Sequence, residues 1–305
     1  MKKYRYFVPG ANHHVFIKAI DGNIIFYSIW DILCFFTLYC CLARKYGIVC
    51  NMLCIMPNHI HSNERCDSYE KFVAFHHDLE VLFVKFYNQQ HCRRGPLFLR
   101  PFGYSPKMVG KKLKDNFCYI ANNPVVGHLC DNFLQYRWNF LAYADSTNPY
   151  SEKIPLSLES FRMRNALKLL KYYRSNNLPL DYTRLENLTK TLSPDEVKRM
   201  IDYIISSYNC VSYESIASAF GGTVEMAFKS FKIVSGSEYD IPDDYDDYSI
   251  YVRMASLVKG KGVDLRTCNF ETMDWKNLNR LFRLLPSAGA GDRQIRKFLH
   301  LARGV

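Results

Sequence analysis

The chain has 305 residues, of which 48% are apolar, so it is long enough for about two domains and can bury a sizeable core. Forty Lys and Arg residues against 29 Asp and Glu give a net charge of +11, which predicts a polyanionic partner, most simply nucleic acid, although a mildly basic surface is the plainer alternative. Its 11 cysteines show no repeated C-x-x-C spacing, which argues against a disulfide framework and against a zinc ribbon.

The elements predicted in the first half alternate between strands and helices. Their order is strand, strand, helix, strand, helix, short strand and helix, over residues 4–9, 14–20, 28–46, 48–61, 67–90, 97–99 and 105–123. This order predicts an α+β fold, in which helices pack on an antiparallel sheet. From about residue 150 onward only helical patterns occur. We therefore divide the chain into a region over 1–148 and an all-helical C-terminal region over 149–305.

The first predicted helix lies in an apolar stretch, residues 24–43, that is long enough to span a membrane. Asp31 lies inside this stretch, and Ser28 stands three residues before it, which is the pattern of a helix start. We therefore expect a buried helix and no membrane span. The odd number of cysteines and an opening without the apolar stretch of a signal sequence indicate a reducing cytoplasm.

The C-terminal region contains two other notable segments. Residues 240–248 are acidic and rich in tyrosine, and we expect an exposed loop there. The last predicted helix carries four basic residues, as a DNA-reading helix would. However, the connection before it, 286–292, is longer than the turn of a compact helix-turn-helix, which favours a solvated surface face. The basic residues are Arg293, Arg296, Lys297 and Arg303.

Two pairs of residues carry possible chemistry. His59 and His61 are separated by one apolar residue, so on a strand their side chains share a face, with Cα atoms about 6.5–7 Å apart, and can bind one metal ion. Tyr119 and Asn123 are four residues apart on a helix, with Cβ atoms about 5–6 Å apart. If that helix lies over the strand, two imidazoles and an amide oxygen surround one ion beside a phenol. Such a site suits metal-assisted attack of tyrosine on a phosphodiester.

Each pair has a structural alternative, since paired histidines on a strand are often structural and a tyrosine on an apolar helix is most often part of the core. We expect the other histidines to be ordinary surface or hydrogen-bonded residues. These are His13, His14, His76, His77 and His91.

Both pairs lie within recognisable motifs. The stretch Met56-Pro57-Asn58-His59-Ile60-His61 resembles the HUH motif (histidine, hydrophobic, histidine). The stretch Tyr119-Ile120-Ala121-Asn122-Asn123-Pro124-Val125 resembles the tyrosine helix of the REP-associated tyrosine transposases, single-tyrosine HUH enzymes related to the insertion-sequence 200/605 type. The resemblance covers about the first half of the chain.

The resemblance implies a ferredoxin-like or RRM-like HUH catalytic domain over 1–148. It implies that His59, His61 and Asn123 bind Mg²⁺ or Mn²⁺, and that Tyr119 is the nucleophile. The implied reaction cuts single-stranded or hairpin DNA at palindromic repeats, leaves a 5′-phosphotyrosine and a free 3′-hydroxyl, and transfers the strand. It further implies a bacterial cytoplasmic protein, monomeric or homodimeric, with no membrane partner.

Basic residues are concentrated just before the proposed nucleophile, where they could contact the DNA backbone. A solubilising surface is the alternative. The seven residues are Arg93, Arg94, Arg100, Lys107, Lys111, Lys112 and Lys114.

One segment departs from the family pattern. The polar residues Ser62-Asn63-Glu64-Arg65 follow the second histidine, where family members usually continue with apolar residues. The departure predicts that the strand ends early or has lost its partner. It motivates an alternative function, a DNA hairpin-binding protein that retains the fold without cleavage. A third possibility is a metallohydrolase that uses the two histidines without covalent catalysis, and the sequence offers no general base for it.

Overall fold

The computed structural model describes residues 6–99, 101–108, 110–234 and 246–301. The first half forms a four-stranded antiparallel sheet with the spatial order β2-β3-β1-β4. Helices α1 and α2 connect the strands, which gives the βαββαβ order of a ferredoxin-like fold. The predicted α+β class is confirmed. The elements are β1 (Asn12–Lys18), α1 (Ile29–Tyr46), β2 (Val49–Met56), β3 (His59–Arg65), α2 (Tyr69–Gln90) and β4 (Gly103–Lys107).

Helix α1 begins and ends as its sequence predicts. Ser28 and Asp31 form a capping box, and Gly47 ends the helix in the left-handed conformation, with φ 69°. Asp31 is fully buried, and its Oδ1 accepts a 2.7 Å hydrogen bond from Tyr182 Oη, so the acid inside the apolar stretch is held by partners. Within the described ranges, no helix is long and apolar enough to cross a membrane.

The predicted strand over 48–61 is two strands. β2 ends at Met56, the chain turns at Pro57 and Asn58, and His59 begins β3. The turn is held by backbone bonds, because Pro57 O accepts from the amides of residues 25 and 26, and Asn58 O accepts from Ala19 N. The continuous apolar pattern concealed this turn because both strands are buried on both faces.

Two further strand predictions were wrong. Residues 4 and 5 of the predicted strand 4–9 lie outside the described residues, and residues 6–9 form no strand. The predicted strand 97–99 is a single bridge between Phe98 and Ala19.

The helix predicted from residue 105 was wrong at its start. Residues 103–107 form β4, an edge strand paired with β1, and an edge strand tolerates Pro106. Gly103 lies under the ring of Phe16, where an added Cβ would stand 1.9 Å from Phe16 Cζ. Helix α3 therefore begins later than predicted and runs over Lys111–Val126, three residues beyond the predicted end at 123 and with Pro124 inside it.

Helix α3 and the pair α1 and α2 cover opposite faces of the sheet. Asn63 Nδ2 of β3 donates to Asn116 Oδ1 of α3 over 2.8 Å, whereas the next residue, Glu64, accepts from Tyr39 of α1 and bonds His76 of α2. Because side chains alternate along a strand, His59 and His61 face α3 together with Asn63.

The polar end of β3 does not interrupt the strand. β3 continues to Arg65, and Glu64 is fully buried with both carboxylate oxygens bonded. Oε1 accepts from Tyr39 Oη at 2.8 Å and from Ser62 Oγ at 2.6 Å, and Oε2 lies 2.9 Å from His76 Nε2. The predicted early end of the strand was therefore wrong, since Ser62 and Glu64 have partners on the α1 and α2 face and Asn63 has one on α3.

The second half is all-helical in its described part, as predicted, and packs directly on the first. Helices α5 and α6 contact α1, and α7 contacts β2 and α3. Ser212 N donates to Cys50 O over 2.7 Å, which places this segment beside the edge strand β2. A boundary at residue 148 stays a prediction. The helices are α4 (Phe161–Ser175), α5 (Tyr182–Thr189), α6 (Pro194–Tyr208), α7 (Tyr213–Phe220), α8 (Val224–Lys229), α9 (Tyr248–Gly260), α10 (Trp275–Leu284) and α11 (Asp292–Leu299).

Two C-terminal segments, residues 240–248 and helix α11, contain buried residues where the sequence predicts an exposed loop and a solvated basic helix. Residues 240–245 of the predicted acidic loop lie outside the described residues, but Tyr248 begins α9 and is fully buried. On α11, Lys297 is buried and its Nζ lies 2.6 Å from Asp246 Oδ2. Arg303 also lies outside the described residues.

Candidate metal and tyrosine site

His59 and His61 lie side by side on β3, as their spacing predicts. Both are buried, and their ring centroids are 4.8 Å apart with the ring planes at 80°. Metal ions bind imidazole nitrogen at about 2.0–2.1 Å, so two rings at this separation can approach one ion.

The hydrogen bonds of Asn58 define which nitrogen of His59 carries the proton. Asn58 Nδ2 donates to Gly22 O over 3.0 Å, which orients the amide and turns Oδ1 towards His59 Nδ1 at 2.7 Å. An amide oxygen only accepts, so His59 Nδ1 is the donor. The lone pair of His59 is therefore on Nε2, the nitrogen that a metal ion would bind.

His61 has a partner that the sequence did not indicate. His14 Nε2, on β1, lies 3.0 Å from His61 Nδ1, so one of these nitrogens donates to the other, and the rings are stacked at 5.1 Å. His14 is hydrogen-bonded, as predicted, but no pattern in the sequence places it beside His61. The residues are 47 apart in the chain, and only the antiparallel pairing of β1 with β3 brings them together.

His14, His59 and His61 form a histidine cluster, and Tyr119 packs against it from α3. Its ring meets His61 edge-on at 5.3 Å and 79°, and meets His14 at 5.6 Å and 73°. Only 7% of Tyr119 is exposed, so the phenol is largely shielded from bulk water. The structure thus places the two motifs, about sixty residues apart in the sequence, in contact.

Asn123 lies one helical turn after Tyr119 and is 2% exposed. Among the residues that the structure describes, no donor reaches its Oδ1. A buried amide oxygen without a donor costs about 1–3 kcal/mol, and it is also a ligand that a hard divalent cation prefers.

The donor set fits Mg²⁺ or Mn²⁺. In the described ranges, no three side chains of His, Cys, Asp or Glu are grouped to hold an ion. The resemblance implies the Asn123 amide as the third protein ligand. Two imidazole nitrogens and one oxygen leave positions for water and substrate oxygens.

The basic residues fall into three groups. Arg94, Lys111 and Lys112 are exposed. Arg93 instead binds Glu271 Oε1 at 2.9 Å together with nearby carbonyl groups, so it stabilises its own loop.

Two of the remaining basic side chains are less open to a ligand. Lys114 is half-buried, with Nζ 5.5 Å from the centroid of the Phe220 ring. Lys107 is fully buried, which does not suit the predicted phosphate contact, and Arg100 lies outside the described residues.

Comparisons with known proteins add little. No family model and no curated protein matches the chain. One solved structure, described as the REP-associated tyrosine transposase bound to a REP hairpin, is similar over 45% of this chain and 81% of that chain, with 14% identity and a TM-score of 0.39. A similarity this distant says nothing about activity, so function has to be inferred from the site.

Proposed function

We propose that the chain nicks single-stranded DNA, at hairpins or palindromic repeats, and transfers the strand through a covalent 5′-phosphotyrosine on Tyr119, with Mg²⁺ or Mn²⁺ as cofactor. The observation that carries the proposal is the contact of Tyr119 with the histidine cluster, His61 at 5.3 Å and His14 at 5.6 Å. A tyrosine nucleophile beside paired imidazoles is the arrangement that metal-assisted phosphodiester chemistry needs.

The protein residues divide the reaction between them. His59 Nε2, His61 and Asn123 Oδ1 would hold the ion, which when bound supplies a Lewis acid that polarises the scissile phosphate. Tyr119 Oη gives up its proton and forms a bond to phosphorus, while the bond from phosphorus to the 3′-oxygen breaks and that oxygen takes up a proton. The 5′-phosphate remains on Tyr119, and a second 3′-hydroxyl reverses these steps to join a new strand.

Exposed basic residues would bind the DNA backbone near the nucleophile. Lys111 and Lys112 lie in the first turn of α3, about 10–12 Å along the helix axis from Tyr119. Phosphate contacts of this kind give affinity that falls with salt. The net charge of +11 favours the same partner.

The alternative without cleavage rests on the polar residues after His61. Ser62 and Glu64 bond each other on the opposite face of the sheet from Tyr119, whereas Asn63 bonds Asn116 on the α3 face. This alternative differs from the proposal in that no DNA adduct would form. The metallohydrolase alternative differs in that its products would form without Tyr119.

A covalent-adduct assay tests the proposal. The full chain is incubated with hairpin-containing single-stranded DNA and Mn²⁺, and the DNA-linked protein is separated under denaturing conditions and mapped by mass spectrometry. We expect an adduct on Tyr119 that Tyr119→Phe does not form. Tyr172→Phe is the matched control, because it removes a phenol that is 57% exposed on α4.

Other outcomes would contradict the proposal in different ways. An adduct that persists in Tyr119→Phe would mean that another residue is the nucleophile. Strand cleavage without any adduct would indicate hydrolysis, and hairpin binding with neither would indicate the non-cleaving protein.

A further inference from the structure

Tyr248 is a C-terminal residue that reaches the histidine pair. It is the first residue of α9 and is fully buried. Its hydroxyl donates to Asn58 Oδ1 over 2.8 Å and lies 3.4 Å from His59 Nδ1. Since Asn58 Oδ1 also accepts from His59 Nδ1, one amide oxygen joins the phenol to the imidazole.

The other end of Tyr248 contacts the helix that carries Tyr119. The backbone amide of Tyr248 donates to Gly127 O over 3.0 Å, just after the last residue of α3. Its ring lies against Gly127, where an added Cβ would stand 2.8 Å from Tyr248 Cδ2. A single residue therefore touches both the strand of the metal ligands and the helix of the nucleophile.

The position of Tyr248 is itself fixed by neighbouring elements. The ion pair between Asp246 and the buried Lys297 ties the start of α9 to α11. Lys297 O in turn accepts from Ile24 N, and the next amide, Ile25 N, donates to Pro57 O in the turn before His59. These bonds connect the start of α9, through α11 and residues 24 and 25, to the turn at Pro57 and Asn58 that the Tyr248 hydroxyl contacts.

We propose that Tyr248 is a positioning residue, which acts through Asn58 Oδ1 to hold His59 in the tautomer with its proton on Nδ1, and which fixes α3 against β3. The proposal rests on the proposed function, because His59 Nε2 is assigned there to the metal ion. Phenylalanine would fill an apolar core position equally well, so the proposed role belongs to the hydroxyl of Tyr248 and not to its ring. Partners of this kind around a metal-binding histidine typically change metal affinity by about 10–100-fold.

The first test measures Mn²⁺ binding without DNA. Titration of the full-length Tyr248→Phe protein, followed by calorimetry or by the electron paramagnetic resonance of free Mn²⁺, should give about 10–100-fold weaker binding than the unsubstituted protein. Tyr251→Phe is the matched control, because it removes a buried phenol from the same helix, with its ring centroid 5.6 Å from that of Tyr248. We expect the control to bind Mn²⁺ normally.

The second test measures the tautomer directly and needs no metal. Imidazole ¹⁵N chemical shifts of the metal-free protein should show His59 protonated at Nδ1, with a larger fraction protonated at Nε2 in Tyr248→Phe. A His59 that is already protonated at Nε2 in the unsubstituted protein would overturn the proposal, and this result does not depend on the variant folding. Unchanged shifts together with unchanged Mn²⁺ affinity in Tyr248→Phe would overturn it as well.

Failure of the two proposals can be told apart. If the unsubstituted protein binds no Mn²⁺, or if His59→Ala binds it equally well, the proposed function fails at the metal site. The tautomer measurement then still decides whether Tyr248 positions His59.

Discussion

The two faces of β3 carry two buried polar clusters with different properties. On the α3 face, His59 lies beside His61, Tyr119 packs against His61, and the buried Asn123 amide oxygen has no donor within the described chain. On the α1 and α2 face, each oxygen of Glu64 has a partner.

The two clusters differ in their hydrogen bonds. In the Glu64 cluster both carboxylate oxygens have partners and the cluster is structural, whereas the cluster on the α3 face contains an acceptor without a donor in the described chain and is the candidate site. A buried carboxylate is tolerated when donors surround it, whereas a buried acceptor without a donor has a cost that a ligand can remove. Burial opposes ionisation of Glu64, but the charge and hydrogen bond of His76, with the hydroxyls of Ser62 and Tyr39, outweigh it and lower the pKa of the carboxyl.

The largest effect is expected from removing both histidines of the α3 face. His59→Ala combined with His61→Ala should reduce the yield of DNA adduct to the level of Tyr119→Phe, because the ion would lose two of its three protein ligands. Thermal unfolding should show that the variant remains folded. His77→Ala, a substitution of an exposed histidine, is the control, and an adduct yield that survives the double substitution would disprove metal binding at this pair.

The opposite pattern is expected on the other face. Glu64→Ala should lower the free energy of unfolding by about 3–5 kcal/mol in a denaturant titration, because it leaves His76 and two hydroxyls buried without their acceptor. The folded fraction should bind Mn²⁺ normally. If Glu64→Ala weakened Mn²⁺ binding as strongly as loss of a histidine, the two clusters would not be separate.

Removing the Asn123 side chain should change Mn²⁺ binding more than it changes the free energy of unfolding. Asn123→Ala should weaken Mn²⁺ binding about tenfold, or ~1.4 kcal/mol, while the free energy of unfolding changes by no more than about 1 kcal/mol, since the side-chain oxygen has no hydrogen bond to lose within the described chain. Calorimetry and denaturant titration measure the two quantities. A loss of stability above about 2 kcal/mol would show that the amide is structural.

The smallest effect is a pH dependence that belongs to Glu64. Because its pKa is lowered in the folded protein, the unfolded chain binds the proton more readily, so Glu64 stabilises the fold above the ordinary carboxyl pKa of about 4.3. This contribution should be lost as the pH falls from there through the lowered pKa, with a slope of up to about 1.4 kcal/mol per pH unit. The difference between the unsubstituted protein and Glu64→Gln isolates it, and parallel stability curves below pH 4 would contradict it.

The sequence indicated the parts of the fold that local patterns determine. The capping box of Ser28 and the helical pattern over 67–90 were enough to predict α1 and α2. The turn at Pro57 is hidden because both flanking strands are buried on both faces, and β4 resembles a helix start because Pro106 is compatible with either.

The candidate site was predictable only in part, for a different reason. Four site residues belong to two short motifs that resemble known family motifs, and this resemblance identified them. They are His59, His61, Tyr119 and Asn123. His14 and Tyr248 reach the site through tertiary packing, which no local pattern in the sequence encodes.

The bond between Asn58 and Tyr248 also has a consequence for synthesis. The two residues are 190 positions apart, and at about 5–20 residues per second the ribosome needs roughly 10–40 s to pass from one to the other. Strand β3 and helix α3 are both made within that interval, before the phenol of Tyr248 that contacts their ends. A nascent chain therefore carries both motifs before it carries Tyr248, which contacts the segments that bear them.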